Sequence, residues 1–165
     1  PLEVLDAAHN PQGAETLKQA IQTVFADKTF VGVISVLAEK DARSILHILE
    51  PALSEVVITQ STSPRAIPLD ELADAAREIF GEHRVRTAYT VAQALEQAHE
   101  MLGDGIGDAI VVSGSITLVG DVLKLQQTEL GLLVNDDDYD ESDNVNHDEF
   151  DGTEGIDDDE EYEDD

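Results

Sequence analysis

The 165-residue sequence contains no cysteine and no tryptophan, and aromatic residues make up only 4% of it. Without cysteine, the chain can form neither disulfide bonds nor thiolate metal sites. No apolar run approaches the roughly 20 residues that a membrane-spanning helix needs. The sequence therefore points away from disulfide-stapled domains and membrane-spanning proteins, and its length suffices for one domain with its own core.

Basic residues are scarce as well. Nine lysines and arginines stand against 37 acidic residues, which gives a net charge of −28. Residues 135–165 hold 18 of these acids and no basic residue, so we expect a disordered acidic tail there. Residues 1–134 carry the other 19 acids and all nine basic residues, without a basic patch. This balance argues against nucleic-acid partners and against binding to anionic membranes.

The start of the chain also lacks two common features. It opens on Pro1 instead of methionine, already inside a predicted strand, so we expect a fragment or a processed piece. A basic stretch followed by a long apolar segment, as in a secretory signal, is missing too. We therefore expect a cytoplasmic protein.

Residues 1–134 alternate between two hydrophobic patterns. Runs of β-branched and apolar residues predict strands at 2–8, 29–37, 55–59, 85–87 and 108–113. Apolar residues at helical spacing predict helices at 11–26, 41–53, 69–80, 91–101 and 119–125. Strands that alternate with helices predict an α/β domain, Rossmann-like and three-layered, with a mostly parallel sheet of five or six strands. A sixth strand would lie at 131–134 or 116–119.

Asp6 and His9 form the first candidate constellation. They lie where the first strand passes into a helix that Asn10 caps and Pro11 begins. Ligand sites of open α/β sheets lie at such strand ends, and helix N-termini attract anions. Asp6 could bind a ribose diol, and His9 could donate to a carboxylate or phosphate. Alternatively, Asp6 satisfies N–H groups of its own turn and His9 is a solvated loop residue.

Two further loops follow predicted strands. Ser113-Gly114-Ser115 offers small residues, whose backbone can approach an anion closely, and two hydroxyls. Arg65, in the loop at residues 61–66, could pair with an anionic ligand. Each loop has a plain alternative, a tight turn in the first case and a surface arginine in the second. In a doubly wound sheet, the Ser113–Ser115 loop and the Asp6 loop share one edge.

Several other signatures are missing or incomplete. The chain has neither a G-x-x-x-x-G-K-[ST] phosphate loop nor a G-x-G-x-x-G turn. The remaining histidines lack metal-ligand spacing, so we predict no metal site. Asp136, Asp138 and Asp140 imitate the start of a calcium loop, but Glu141 stands where that loop needs glycine. At most, weak and non-specific binding of divalent cations is expected there.

Three segments resemble a known family. The sequence DAAHNPQGA at residues 6–14 is similar to the D-[GA]-A-H-N-P-x-G-A motif that opens the C-terminal domain of folylpolyglutamate synthases, which include bifunctional dihydrofolate synthases. VSGSITLVG at 112–120 resembles that family's [ST]-G-S-[LI]-x-x-[VA]-G segment, and SPRA at 63–66 resembles its S-P-R-A loop. The three motifs occur in the family's order over residues 1 to about 125.

The resemblance implies one domain of an ATP-dependent amide ligase. In this family, a folate or dihydropteroate carboxylate is activated as an acyl phosphate, which the amine of L-glutamate then attacks. A larger N-terminal domain holds the phosphate loop, the Mg²⁺ ligands and most of the folate site. That domain is absent from the given sequence, so we expect residues 1–134, the glutamate ligase domain, to be inactive alone.

The family's functional residues carry over to three positions. By this resemblance Asp6 contacts ATP, at the ribose. His9 is the catalytic histidine near the glutamate and the acyl phosphate, and Ser115 is linked to glutamate binding. The arginine that contacts ATP phosphates would precede Pro1, and Thr117 departs from the usual aromatic residue.

Two other functional readings stay open at the level of sequence. One is the C-terminal domain of a Mur-type ligase that builds peptidoglycan precursors. The other is a non-catalytic Rossmann-like interaction module with an acidic tail, which would serve either solubility or a basic partner. For the ligase reading we expect a monomer that works with its own N-terminal ATP-binding domain.

Overall fold

A computed structural model describes residues 1–131, which form five strands and five α-helices. The strands are β1 (Leu2–Leu5), β2 (Phe30–Ile34), β3 (Leu53–Ile58), β4 (Val85–Thr87) and β5 (Ala109–Ser113). The helices are α1 (Pro11–Val24), α2 (Ala42–Leu49), α3 (Leu69–Phe80), α4 (Val91–Gly103) and α5 (Ile116–Glu129). None of the helices in this part of the chain is long and apolar enough to span a membrane.

The five strands form one parallel sheet in the order β1-β5-β2-β3-β4. Their register aligns the carboxyl ends, because Leu5 pairs with Val112 and Ile34 pairs with both Ser113 and Ile58. Every residue of the two central strands, β2 and β5, is buried. The loops that follow the strands therefore meet at one edge, where parallel sheets keep their ligand sites.

Helices cover both faces of the sheet, as the three-layer prediction requires. On one face, α1, α2 and α3 pack their apolar stripes on a cluster that includes Phe30, Ile45 and Leu72. On the other face, α4 and α5 enclose a second cluster, which includes Val33, Met101 and Leu118. Because the sheet is shielded on both sides, its central strands are continuous apolar runs without alternation.

The turn at the first helix is confirmed in detail. Asn10 caps α1, because its Oδ1 accepts a 2.7 Å hydrogen bond from the Gly13 amide. Pro11 is the first helical residue and has no N–H to leave unpaired there. The predicted bounds of α3 and β4 also agree with the structure.

Several predicted boundaries were wrong. The strands expected at 2–8 and 29–37 end earlier, at Leu5 and Ile34. The helix expected at 41–53 ends at Leu49, because Pro51 has no N–H for the next helical bond, and β3 begins at Leu53. The last helix runs over Ile116–Glu129 instead of 119–125, so 116–119 is helical and not a sixth strand. Gly131 lies in the turn after this helix, and residues 132–134 lie outside the described residues. The acidic segment 135–165, with its predicted disorder and aspartate repeat, also lies outside them.

Candidate functional site

The carboxyl edge of the sheet collects buried polar side chains. Within residues 1–131, all the buried polar residues end or follow strands β2, β3 and β5 or lie on α5: Ser35, Thr59, Ser61, Ser113, Ser115 and Asp121. Burial of a hydroxyl or carboxylate costs free energy unless a partner satisfies it. Their concentration at one edge marks that edge as the candidate site.

Asp6 stands directly beyond the carboxyl end of β1. Its amide donates to the Val112 carbonyl oxygen at 3.0 Å, which extends the pairing with β5 by one residue. Its Oδ1 accepts from the Ala8 amide at 2.8 Å, so the carboxylate partly satisfies its own turn. The other oxygen, Oδ2, has no hydrogen-bond partner among residues 1–131. It can accept a hydrogen bond from a ligand hydroxyl.

His9 is half-buried in the same loop. Its Nδ1 lies 3.0 Å from the Ala7 carbonyl oxygen. Because a carbonyl oxygen only accepts hydrogen bonds, Nδ1 must carry the proton. Nε2 has no partner in the described part of the chain. A neutral ring can accept a proton there, and a protonated ring can donate to an anion.

Gly114 joins this loop to the loop after β5. Its amide donates to the Ala8 carbonyl oxygen at 3.0 Å. Its φ of +103° is in the region that favours glycine, and a Cβ here would lie 2.5 Å from the Ser35 carbonyl oxygen. Because this bond joins the two loops, the loop that carries Asp6 and His9 lies against the loop that carries Ser115.

Ser115 is placed differently from what the sequence suggested. The family resemblance links it to glutamate binding at the same edge as Asp6 and His9, but it is only 1% exposed. Its Oγ caps α5, accepting from the amides of Thr117 at 3.1 Å and Leu118 at 3.4 Å. The hydroxyl proton has no acceptor among the described residues, so Ser115 still has one donor to offer.

Ser113, the last residue of β5, carries an unsatisfied hydroxyl. Its Oγ is buried and has no hydrogen-bond partner within residues 1–131. Such groups are rare in native structures and call for an explanation such as a bound ligand or water. The Ser113–Ser115 loop thus combines an unsatisfied hydroxyl with a helix N-terminus.

Arg65 is a surface arginine, as the alternative interpretation of its loop proposed. It is exposed and forms a 2.8 Å ion pair with Glu39, another surface residue. The Ser63 hydroxyl accepts from the Arg65 amide at 3.2 Å, and the Arg65 carbonyl oxygen accepts from the Ala38 amide at 2.8 Å. These bonds fix the loop, while the guanidinium is already paired with an acid.

One buried polar contact was missed by sequence analysis. Asp121 on α5 is 8% exposed, and its carboxylate accepts two hydrogen bonds from Thr62, from the amide at 2.8 Å and from the hydroxyl at 2.7 Å. The pair ties α5 to the loop after β3. A signal was present, because Asp121 follows Leu118 by three residues and so falls on the buried stripe of a helix.

The other ionisable residues build no metal site in this region. His99 contacts Glu3 at 2.6 Å, and His47 and His83 are exposed. Residues 1–131 contain no group of three histidine, aspartate or glutamate side chains that could hold a metal ion. His147 lies outside the described residues. The residues present therefore suit contacts to a nucleotide sugar and to a carboxylate, but they do not form a Mg²⁺ site.

Comparison with known proteins identifies the family to which this domain is similar. Residues 2–116 match the family model described as "Mur ligase, glutamate ligase domain". Over 131 residues, the chain is 42% identical to the dihydrofolate synthase/folylpolyglutamate synthase of Mycobacterium tuberculosis, covering 73% of this chain and 27% of that protein.

Solved structures show the same relationship. A Mycobacterium tuberculosis folylpolyglutamate synthase complexed with ADP and AMPPCP shares 41% identity, with a TM-score of 0.67 over 73% of this chain and 28% of that one. A bifunctional synthase of Yersinia pestis complexed with AMPPNP and Mn ion shares 25% identity, with a TM-score of 0.63 over 77% and 29%. The chain thus spans little more than a quarter of each relative. By its matched sequence and its fold, the chain belongs to the family of Mur ligase glutamate ligase domains.

Proposed function

We propose that this chain is the C-terminal domain of an ATP-dependent ligase that adds L-glutamate to folate, to dihydropteroate or to both. The observation that carries the proposal is the joining of the Asp6–His9 loop to the Ser115 loop through Gly114 and Ala8. The relatives named above, which are folate ligases, support it. In this proposal a second domain supplies the phosphate loop and the metal ligands, since this sequence has no phosphate-loop motif and residues 1–131 have no metal-binding group.

The roles of the three site residues follow from their free polar atoms. Oδ2 of Asp6 accepts from a ribose hydroxyl of ATP. With Nδ1 bonded to the Ala7 carbonyl oxygen, Nε2 of the protonated His9 ring donates to an anionic group, the carboxylate of glutamate or the acyl phosphate, and holds the two reactants together. Ser115 offers its remaining hydroxyl proton to glutamate, while its oxygen keeps α5 capped. Such positioning can supply several kcal/mol of a condensation barrier, on the order of 7–11 in favourable cases.

The partners follow from the same division of labour. We propose that ATP, Mg²⁺ and the folate substrate are held mainly by an N-terminal domain of the same protein. The C-terminal domain then closes over ATP, Mg²⁺ and the folate substrate when the substrates bind. The enzyme works as a monomer in the cytoplasm, where folate ligases find ATP and free glutamate.

The experiment compares the chain with its complete gene product. The 165-residue chain alone is expected to show no glutamate-dependent release of ADP, with folate or dihydropteroate present. The complete protein is expected to show it. Turnover by the chain alone, or none by the complete protein, would contradict the two-domain account. Rescue of a strain that lacks its folate ligase separates this function from a peptidoglycan ligase, which would not restore growth.

Variants of the complete protein test the assigned roles. His9→Asn is expected to lower kcat/KM for glutamate by more than about tenfold, since a hydrogen bond to a charged group is lost. Asp6→Asn, which keeps the turn's acceptor, is expected to raise KM for ATP. His47→Asn is the matched control, because His47 is an exposed histidine on α2, away from this edge. Equal losses in all three variants would refute the assignment.

A further inference from the structure

A groove lies between helices α4 and α5, on the face of the sheet opposite α1, α2 and α3. Its volume is about 600 Å³. Leu95 of α4 and Leu125 of α5 give it an apolar floor, and both also pack in the second core cluster. Neither the Asp6–His9 loop nor Ser115 lines the groove, so it is separate from the ligase site described above.

The helix on one side of the groove, α5, is apolar on two opposite sides. Leu118 and Val122 face the core and are fully buried, whereas Leu123 and Leu130 are 43% and 72% exposed. These two exposed leucines precede and follow Gln126, a lining residue, by three and four positions, so they flank it on the surface of the helix. A helix that is apolar all round is normally buried. The outer side of α5 is therefore suited to a partner.

Carboxylates surround the apolar floor. Glu96, Glu100 and Glu129 are exposed and take part in no ion pair within residues 1–131. A fourth carboxylate, that of Glu3, is held in place by His99, whose Nε2 lies 2.6 Å from its Oε1. Of the lysines and arginines in the described part of the chain, none lines the groove. The rim of the groove is therefore negative.

The acids on this rim are placed unfavourably for the domain itself. Glu96 and Glu100 are four residues apart on α4, a spacing at which like charges repel. Glu100 and Glu129 lie in the last turns of α4 and α5, where the helix ends carry partial negative charge and cations are favoured. Neither last turn contains a basic residue. A cationic partner would relieve both kinds of repulsion.

We propose that this groove docks a basic amphipathic helix of a partner protein. The apolar side chains of that helix contact Leu125 and the flanking Leu123 and Leu130. Its lysines or arginines pair with Glu96 and Glu100. This is recognition of a helix in a groove, in which apolar anchors recur at helical spacing. The inference does not depend on the ligase function.

Charge disfavours two other occupants of the groove. Residues 135–165 of the same chain include 18 acidic and no basic residues, so the rim of the groove would repel them. A second copy of the domain would bring one negative rim against another. A partner with positive charge beside its apolar residues meets neither obstacle.

Titration calorimetry of the 165-residue chain with a model peptide tests the proposal, at about 0.15 M salt to screen distant charges. The peptide has about 14 leucines and lysines, with the leucines at helical spacing. One control peptide carries glutamate in place of lysine, and another has the same composition in alternating order, which gives no apolar helix face. Saturable one-to-one binding is expected, with both controls at least about tenfold weaker. No saturable binding, or equal binding of either control, would overturn the proposal.

A charge variant tests the rim of the groove. Glu96→Gln/Glu100→Gln is expected to weaken binding about fivefold, and to leave the melting temperature unchanged or raised because two like charges are removed. Glu71→Gln/Glu82→Gln is the matched control, since it neutralises two exposed glutamates of α3 and the turn after it, which cover the opposite face. The control is expected to bind the peptide as the natural chain does. Equal binding by the two double variants would refute the site, because net charge alone would then attract the peptide.

An apolar variant tests the side of the groove that α5 forms. Leu130→Gln is expected to weaken binding about fivefold, because an apolar contact is lost. Val24→Gln is the matched control, since Val24 is 71% exposed and lies on α1, on the opposite face. The control is expected to leave binding unchanged. Unchanged binding in Leu130→Gln, or an equal loss in Val24→Gln, would contradict docking in this groove.

Two further measurements identify the occupant. The chain is expected to sediment as a monomer in the analytical ultracentrifuge, and the complete gene product is expected to bind the peptide as the chain does. A dimer that Leu130→Gln dissociates would place a second copy in the groove. Binding by the chain but not by the complete gene product would place the rest of the same protein there. Either result would overturn the proposal of a separate partner.

Discussion

The amide of Gly114 donates a 3.0 Å hydrogen bond to the carbonyl oxygen of Ala8, and this bond joins the two loops of the candidate ligase site. The geometry at Gly114 admits no side chain. Its φ is +103°, and a Cβ would approach the Ser35 carbonyl oxygen to 2.5 Å, closer than real contacts allow. The juxtaposition of Asp6 and His9 with Ser115 thus depends on a glycine at this position.

Gly114→Ala is therefore expected to destabilise the domain by about 2 kcal/mol or more, from backbone strain and the clash with Ser35. Urea unfolding of the chain measures this free energy. Gly120→Ala is the matched control, because Gly120 lies within α5 and an added Cβ meets nothing within 4 Å. The control is expected to stabilise the chain by about 0.5–1 kcal/mol. A tolerated alanine at position 114 would disprove the packing described here.

Ser115 combines a structural role with a proposed binding role, and two substitutions separate them. Ser115→Ala removes the cap of α5 and is expected to cost about 1 kcal/mol of unfolding free energy, whereas Ser115→Gly costs only a few tenths. Both variants lack the hydroxyl, so both are expected to raise KM for glutamate in the complete protein. If KM rises in the alanine variant alone, the effect comes from α5 and the proposed contact with glutamate is wrong.

Much of the architecture was predictable because local signals agreed with the tertiary structure. Asn10 and Pro11 fix the start of α1, and Gly81 ends α3, through capping rules that act over a few residues. The alternation of apolar runs with helical spacing predicted the parallel sheet for the same reason. The family motifs added the site residues, which spacing alone left undecided between ligand contacts and turn contacts.

The errors arose where one local pattern allowed two structures. The apolar run at 116–119 suits a strand or a helix, and the cap that Ser115 supplies decides for the helix. The burial of Ser115 could not be predicted, because it depends on how α5 docks on the sheet. The contact between Thr62 and Asp121 joins residues 59 positions apart, which only the folded chain brings together.

The contact between Asp121 and Thr62 is expected to show energetic coupling. In a double-mutant cycle of Asp121→Ala and Thr62→Ala, the interaction between the side chains is expected to contribute at least about 1 kcal/mol, since it is a hydrogen bond to a largely buried carboxylate. Urea unfolding of the four chains measures it. The control cycle pairs Asp121→Ala with Ser44→Ala, whose site lies on the opposite face of the sheet. The effects of these two substitutions on the free energy of unfolding should add within about 0.5 kcal/mol. Additivity in the first cycle would contradict the contact.

Asp41 caps α2 and gives the domain a predictable response to acid. Its carboxylate accepts from the Ser44 hydroxyl at 2.7 Å and from the Ser44 amide at 3.1 Å, and these bonds lower the pKa of Asp41 below the usual 3.8. The folded state therefore favours the ionised form. The resulting stabilisation is complete well above pH 3.8 and is lost as the pH falls through the lowered pKa of the folded state.

An NMR titration of the Asp41 carboxyl carbon is expected to show a midpoint below 3.8 in the natural chain. Ser44→Ala should raise that midpoint, because it removes the hydroxyl bond, which lowers the pKa most. Thr128→Ala, which removes an exposed hydroxyl from the last turn of α5, should leave it unchanged. The stability advantage of the natural chain over Asp41→Asn should shrink as the solution is acidified, since asparagine still caps the helix but cannot ionise. An advantage that grows in acid would show that the capping bond is absent.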